Sequence, residues 1–117
     1  MQTSQTVKML SALAQESRLS IFRMLVQQGP DGLPVGVIGE RLGIPNATLS
    51  FHLKELLHAG LVVSRQSGRF VYYAPVIEAM NDLIGFLTEN CCNGQSCALP
   101  AVRSKSTTIA RSRRRAS

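Results

Sequence analysis

The sequence predicts a mainly α-helical domain with one small β-hairpin. Three features carry that reading: apolar residues recur every three to four positions as far as Gly60, LVVSRQ and RFVYYA then switch to a period of two, and helical spacing returns after Pro75.

Taken in order, a first helix is expected over Thr6–Ala14, with Val7, Leu10 and Leu13/Ala14 on one apolar face. Residues 18–28, RLSIFRMLVQQ, set Leu19, Phe22, Leu25 and Val26 along one side and add Ile21 and Met24 around the cylinder, which predicts a largely buried helix. Gly29-Pro30-Asp31-Gly32 ends it. VGVIGERL places Val35, Ile38 and Leu42 at helical spacing, although two glycines make it a weak helix that needs tertiary support. After the turn Gly43-Ile44-Pro45, Asn46 is a candidate N-cap, and Leu49, Leu53, Leu56 and Leu57 form the cleanest stripe in the chain. Gly60 is placed as its C-terminal stop. The two β-type runs flank Ser67-Gly68, a hairpin signature. Pro75 suits a helix N1 position, followed by Val76/Ile77, Met80, Leu83/Ile84 and Leu87 on one face to about Asn90. Two helices across a short glycine-containing turn, with a hairpin behind them, make a winged helix-turn-helix with an extra helix at each end.

At 117 residues there is room for one compact domain and a tail. The expected organisation is a winged-helix domain over residues 1–90, a cysteine segment over 91–102 and a basic, disordered tail over 103–117. No run approaches the roughly 20 apolar residues of a membrane span. The first ten residues lack the pattern of a secretory signal. A cytoplasmic location with reduced thiols is the expectation. Three cysteines within seven positions make a poor disulfide framework and better ligands or redox groups. No nucleophile–base set or Cys-x-x-Cys unit stands out, so an enzyme is not expected.

The net charge of +6 belongs to the tail, because residues 1–102 hold seven basic and seven acidic groups. A basic-protein argument therefore fails globally and survives locally. Between Asn46 and Phe70 three cations face one anion. With the leucines turned inward, the outer face of the helix after the turn is expected to present Asn46, Ala47, Thr48, Ser50, Phe51 and His52 to a major groove. Lys54, Arg65 and Arg69 are placed to neutralise phosphates. A protein-binding winged helix is the alternative for this surface, and packing beneath the wing is the alternative for His52.

LSALAQESRLSIFRML, VIGERLGIPNATLSFHLKELLHAGLV and GRFVYYA together resemble the ArsR/SmtB family of metal-responsive repressors over roughly residues 8–88, most specifically from Ser50 to Val62. The resemblance implies a homodimer paired through the first and last helices. It also implies operator DNA read by the helix after the turn, which by position means Thr48, Ser50 and His52. The chain departs from the family's founding arsenic sensors, which carry two cysteines before the turn. Leu33-Pro34-Val35-Gly36-Val37-Ile38 holds none, and the last helix lacks the Asp and His spacing of the zinc sensors.

NCCNGQSC instead sets Cys91 and Cys92 side by side with Cys97 five residues on, similar to arsenite-responsive members that carry their ligands after the last helix. Three soft thiolates suit one thiophilic atom, and Asn93-Gly94 supplies a chain reversal. Structural zinc takes four ligands, and a fourth cysteine is absent. A helix C-terminus disfavours an anionic complex, so neutral arsenous acid condensing with three thiols is preferred over a divalent metal. The expectation is thus a repressor of an arsenic-resistance operon with no constitutive cofactor and As(III) as inducer; Sb(III) and trivalent organoarsenicals share the chemistry. A redox pair of Cys97 with Cys91 or Cys92, a sensor of another soft metal, and incidental thiols stay open.

Overall fold

The structure, a computed structural model, describes residues 1–94, in two units, 1–86 and from 87 onward. The first unit runs α1 (Thr3–Leu13), α2 (Glu16–Gln28), β1 (Leu33–Pro34), α3 (Val35–Leu42), α4 (Asn46–His58), β2 (Val62–Ser67), β3 (Phe70–Pro75) and most of α5 (Ile77–Leu87). This is the predicted winged helix-turn-helix, with a three-stranded antiparallel sheet in place of a two-stranded hairpin. The added strand, β1, pairs Leu33 with Tyr73 and Pro34 with Tyr72.

The core forms where α2, α3, α4 and the strand ends meet: Ile21, Leu25, Ile38, Leu49, Leu53, Leu56, Leu61 and Val62 are fully buried. α1 turns Thr6, Met9 and Ala12 inward, leaving Val7 54% and Leu10 42% exposed, so its buried stripe lies one residue from the expected one. Thr6 tolerates this because its hydroxyl donates to the Gln2 carbonyl at 3.0 Å. In α2, Ile21 takes the interior position expected of Leu19, which faces outward.

The weak helix α3 is explained by Gly39, where a Cβ would stand 3.1 Å from Leu49 Cδ2 and 3.2 Å from the Ile44 carbonyl oxygen. The glycine lowers helix propensity and lets α4 sit close. Pro45, not Asn46, holds the N-cap position of α4, so no side chain caps that helix. At the other end Gly60 adopts a φ of +78°, its N–H donating to the Leu57 carbonyl at 3.0 Å and that of Leu61 to the Leu56 carbonyl at 3.1 Å. This pair of bonds is a Schellman motif, and it aims the chain into β2.

The hairpin register runs from Val62↔Pro75 to Ser67↔Phe70, so the two-residue loop is Gly68-Arg69 rather than Ser67-Gly68. A positive φ at its first residue, +62° at Gly68, suits a type II′ turn. Pro75 closes β3 instead of opening α5; the Val76 N–H bonds the Leu61 carbonyl at 2.9 Å and the helix begins at Ile77. α5 buries Ala79 and Leu83 and leaves Ile84 and Leu87 exposed. No helix among the described residues is long and apolar enough to cross a membrane.

Within the second unit, the helix stops at Leu87, short of the expected Asn90. A single 3₁₀ turn follows over Cys91–Gly94, with the Cys91 N–H bonded to the Thr88 carbonyl at 3.0 Å.

Candidate nucleic-acid interface and thiol cluster

Burying Leu49, Leu53 and Leu56 forces the opposite side of α4 outward. Asn46, Thr48, Ser50, Phe51 and Lys54 are exposed there, as are Arg65 and Arg69 on the wing. A groove of about 520 Å³ separates α4 from the wing, and it draws Ser50, Lys54, Arg69 and Phe70 together with the start of α3 at Val35 and Gly36. Two hydroxyls (Ser50 and Tyr73), two cations and no carboxylate are among the residues that line it, polar groups suited to a phosphate chain.

Arg65 stands apart from that groove. Its Nη2 donates to the Asp31 carbonyl at 2.8 Å, and its guanidinium lies 4.5 Å from the Tyr72 ring centroid. Carbonyl and ring hold the arginine across the wing, which makes it a strap as well as a surface cation.

His52 corrects the expected outer face, because it is turned inward and only 7% exposed. Its Nδ1 meets Arg18 Nη1 at 3.2 Å, and Arg18 Nε donates to the Ala12 carbonyl at 2.7 Å. A guanidinium only donates, so Nδ1 accepts and the ring proton sits on Nε2. Burial and then the Arg18 cation push the His52 pKa below its ordinary value, with Glu55 pulling the other way. His52 thus joins α4 to α2 and, through Arg18, to the end of α1.

In the second unit Cys91 is half-buried and Cys92 exposed. Asn90, Cys92 and Asn93 all have left-handed φ, so the reversal starts before the expected Asn93-Gly94. α5 ends four residues before Cys91, beyond the last-turn reach of a helix dipole, so that dipole has little hold on the thiols. Cys97 and the tail from Arg103 lie outside the described residues. Among the described residues no three His, Cys, Asp or Glu side chains converge to hold a metal.

Comparison with known proteins matches this architecture. The helix-turn-helix domain family matches residues 13–65. The HTH-type transcriptional regulator YceK of Bacillus subtilis is 40% identical over 65 residues, 56% of this chain and 64% of that protein. The chain therefore spans a little under two thirds of that relative's length. The arsenical resistance operon repressor of the same organism is 36% identical over 81 residues, 69% of this chain and 73% of that protein. Reduced HlyU from Vibrio cholerae superposes with a TM-score of 0.58 at 35% identity, covering 73% of this chain and 90% of that one. The chain belongs to the ArsR family of winged helix-turn-helix transcriptional regulators.

Proposed function

We propose that the chain is a cytoplasmic repressor of an arsenic-resistance operon, a homodimer that holds palindromic operator DNA and lets go when trivalent arsenic binds Cys91, Cys92 and Cys97. The observation that carries this reading is the vicinal pair Cys91–Cys92, one thiol half-buried and one exposed, in a chain with no cysteine near α3. From Gly94 to Cys97 is three residues, a span of at most about 10 Å, so a third sulfur is tethered within reach. Arsenous acid exchanges its three hydroxyls for three sulfurs, each thiol proton leaving in water, and the product is neutral. The likeness to an arsenical resistance operon repressor supports the same inducer class.

For DNA, the support is the exposed face of α4 beside the cationic groove, which suits base edges and phosphates respectively. For the dimer, it is the exposed apolar residues Val7 and Leu10 on α1 and Ile84 on α5, which a second copy would cover. A gel shift on the promoter of its own gene, with and without arsenite, tests the whole. A fall in operator affinity of about 5–150-fold is expected, and Cys97→Ser keeps DNA binding while losing that response. A Cys97→Ser protein that releases DNA normally overturns the three-sulfur site.

A second reading uses the same thiols. Peroxide would take two electrons from Cys97 and Cys91 or Cys92, leaving one disulfide and two waters. The similar HlyU structure is of a reduced form, which favours redox state as a variable. Release by peroxide but not by arsenite under reducing conditions selects it.

A further inference from the structure

Ala47 and Phe51 stand four residues apart on α4 and share one outward face. Phe51 is 58% exposed on a helix whose apolar stripe is otherwise buried, so its ring contributes little to the core. Its neighbouring ring is His52, at 5.7 Å between centroids. The outer face over residues 46–53 carries Asn46, Ala47, Thr48, Ser50 and Phe51, with no arginine, lysine or glutamine and no carboxylate. The first cation on the helix is Lys54, which lines the groove toward the wing.

This inventory selects among base contacts. Guanine is commonly read by a two-pronged arginine or lysine, and the first two turns of α4 offer neither. Beside the Asn46 amide and the Thr48 and Ser50 hydroxyls, they offer a phenyl ring, an alanine methyl and a threonine methyl, the side chains that pack against the 5-methyl group of thymine. We propose that Phe51 is a specificity-determining residue that reads thymine methyl groups in the operator, with Ala47 completing the apolar contact. The inference rests on α4 being the DNA-reading helix. It adds that recognition there includes apolar contact in the major groove, with phosphate contacts from Lys54 and Arg69 fixing the register.

The test uses the full chain and a duplex that the protein itself selects from a random-sequence pool. Each thymine is replaced singly by deoxyuridine, which keeps charge and pairing edge and removes only the methyl. Loss of one methyl contact is expected to weaken wild-type binding about fourfold at one or two positions per half-site, the equivalent of roughly 0.8 kcal/mol. In Phe51→Ala the same replacements lose most of their effect, because the main partner of the methyl is gone and only Ala47 remains. The exposure of Phe51 makes the variant fold normally, and an unchanged thermal midpoint checks this. Uridine replacements without effect on wild-type protein overturn the inference, as does full sensitivity retained in Phe51→Ala. Both outcomes leave the DNA-binding reading standing. A pool that yields no bound duplex overturns that reading, and this inference with it.

Discussion

Arg18 reaches His52 Nδ1 with Nη1 at 3.2 Å while its Nε holds the Ala12 carbonyl at 2.7 Å. One side chain at the start of α2 thereby ties the end of the first helix to the middle of α4. The backbone N–H of Arg18 is itself held by Gln15 Oε1 at 2.9 Å, which fixes the root of this link. Arg18→Ala removes both side-chain bonds and leaves the Ala12 carbonyl and His52 without their donor. A loss of about 1–3 kcal/mol is expected in urea unfolding. Arg18→Lys should recover little, since one ammonium cannot reproduce the two-pronged geometry.

The same contact sets a pH dependence. Burial and the Arg18 cation hold the folded-state pKa of His52 below the 6.5 of the unfolded chain, against a weaker pull from Glu55. Between those two values the unfolded chain binds the extra proton, so stability falls as pH falls. The His52 contribution is complete above about pH 6.5 and is lost as pH drops through the lower, folded value. Urea midpoints at pH 7.5 and 5.5 should separate for wild type, and separate less in His52→Gln, which keeps an acceptor for Arg18 and does not titrate.

Leu49 is fully buried and packs beside Gly39 at the crossing of α3 and α4. Leu49→Ala is expected to cost about 2–5 kcal/mol by denaturant unfolding. α4 depends on this packing the more because it lacks a side-chain N-cap.

Gly32 has a φ of +76°, and a Cβ there would run into the Tyr73 carbonyl oxygen of β3. Gly32→Ala should therefore destabilise by about 1–3 kcal/mol, read as a lowered thermal midpoint. Gly29→Ala is the comparison: its φ is also positive, but nothing lies within 4 Å, so only the backbone strain remains.

Lys54 tests the groove. Lys54→Gln should weaken binding to all duplexes about equally and reduce the salt dependence by about one counterion, measured as the slope of log affinity against log salt. Leu10→Glu tests the apolar face of α1 and should shift the sedimenting species toward monomer at micromolar concentration.

All five α-helices and the hairpin were legible in the sequence from the period of their apolar residues, although α3 reads as the weakest of them. The leucine stripe of α4 is the best case. The inward position of His52 was written there too: residues 49, 52, 53 and 56 have full helical spacing, and the polarity of the histidine hid it. β1 was not legible, since two residues ending in proline carry no alternation. Nor was the Arg18 link, whose partner lies 34 positions away. The hairpin loop slipped by one residue because Ser67-Gly68 and Gly68-Arg69 both offer the glycine that a tight turn needs.

Short as it is, β1 covers β3 only at Tyr72 and Tyr73 and is itself an edge, so among the described strands the long free ladder rim is that of β2. Such a rim invites a stray strand from another molecule to dock and start a fibrillar stack. Ser64, Arg65, Gln66 and Ser67 make β2 polar along most of its length, and Arg65 is pinned back over Tyr72. The wing can thus project toward solvent without becoming a seed for aggregation.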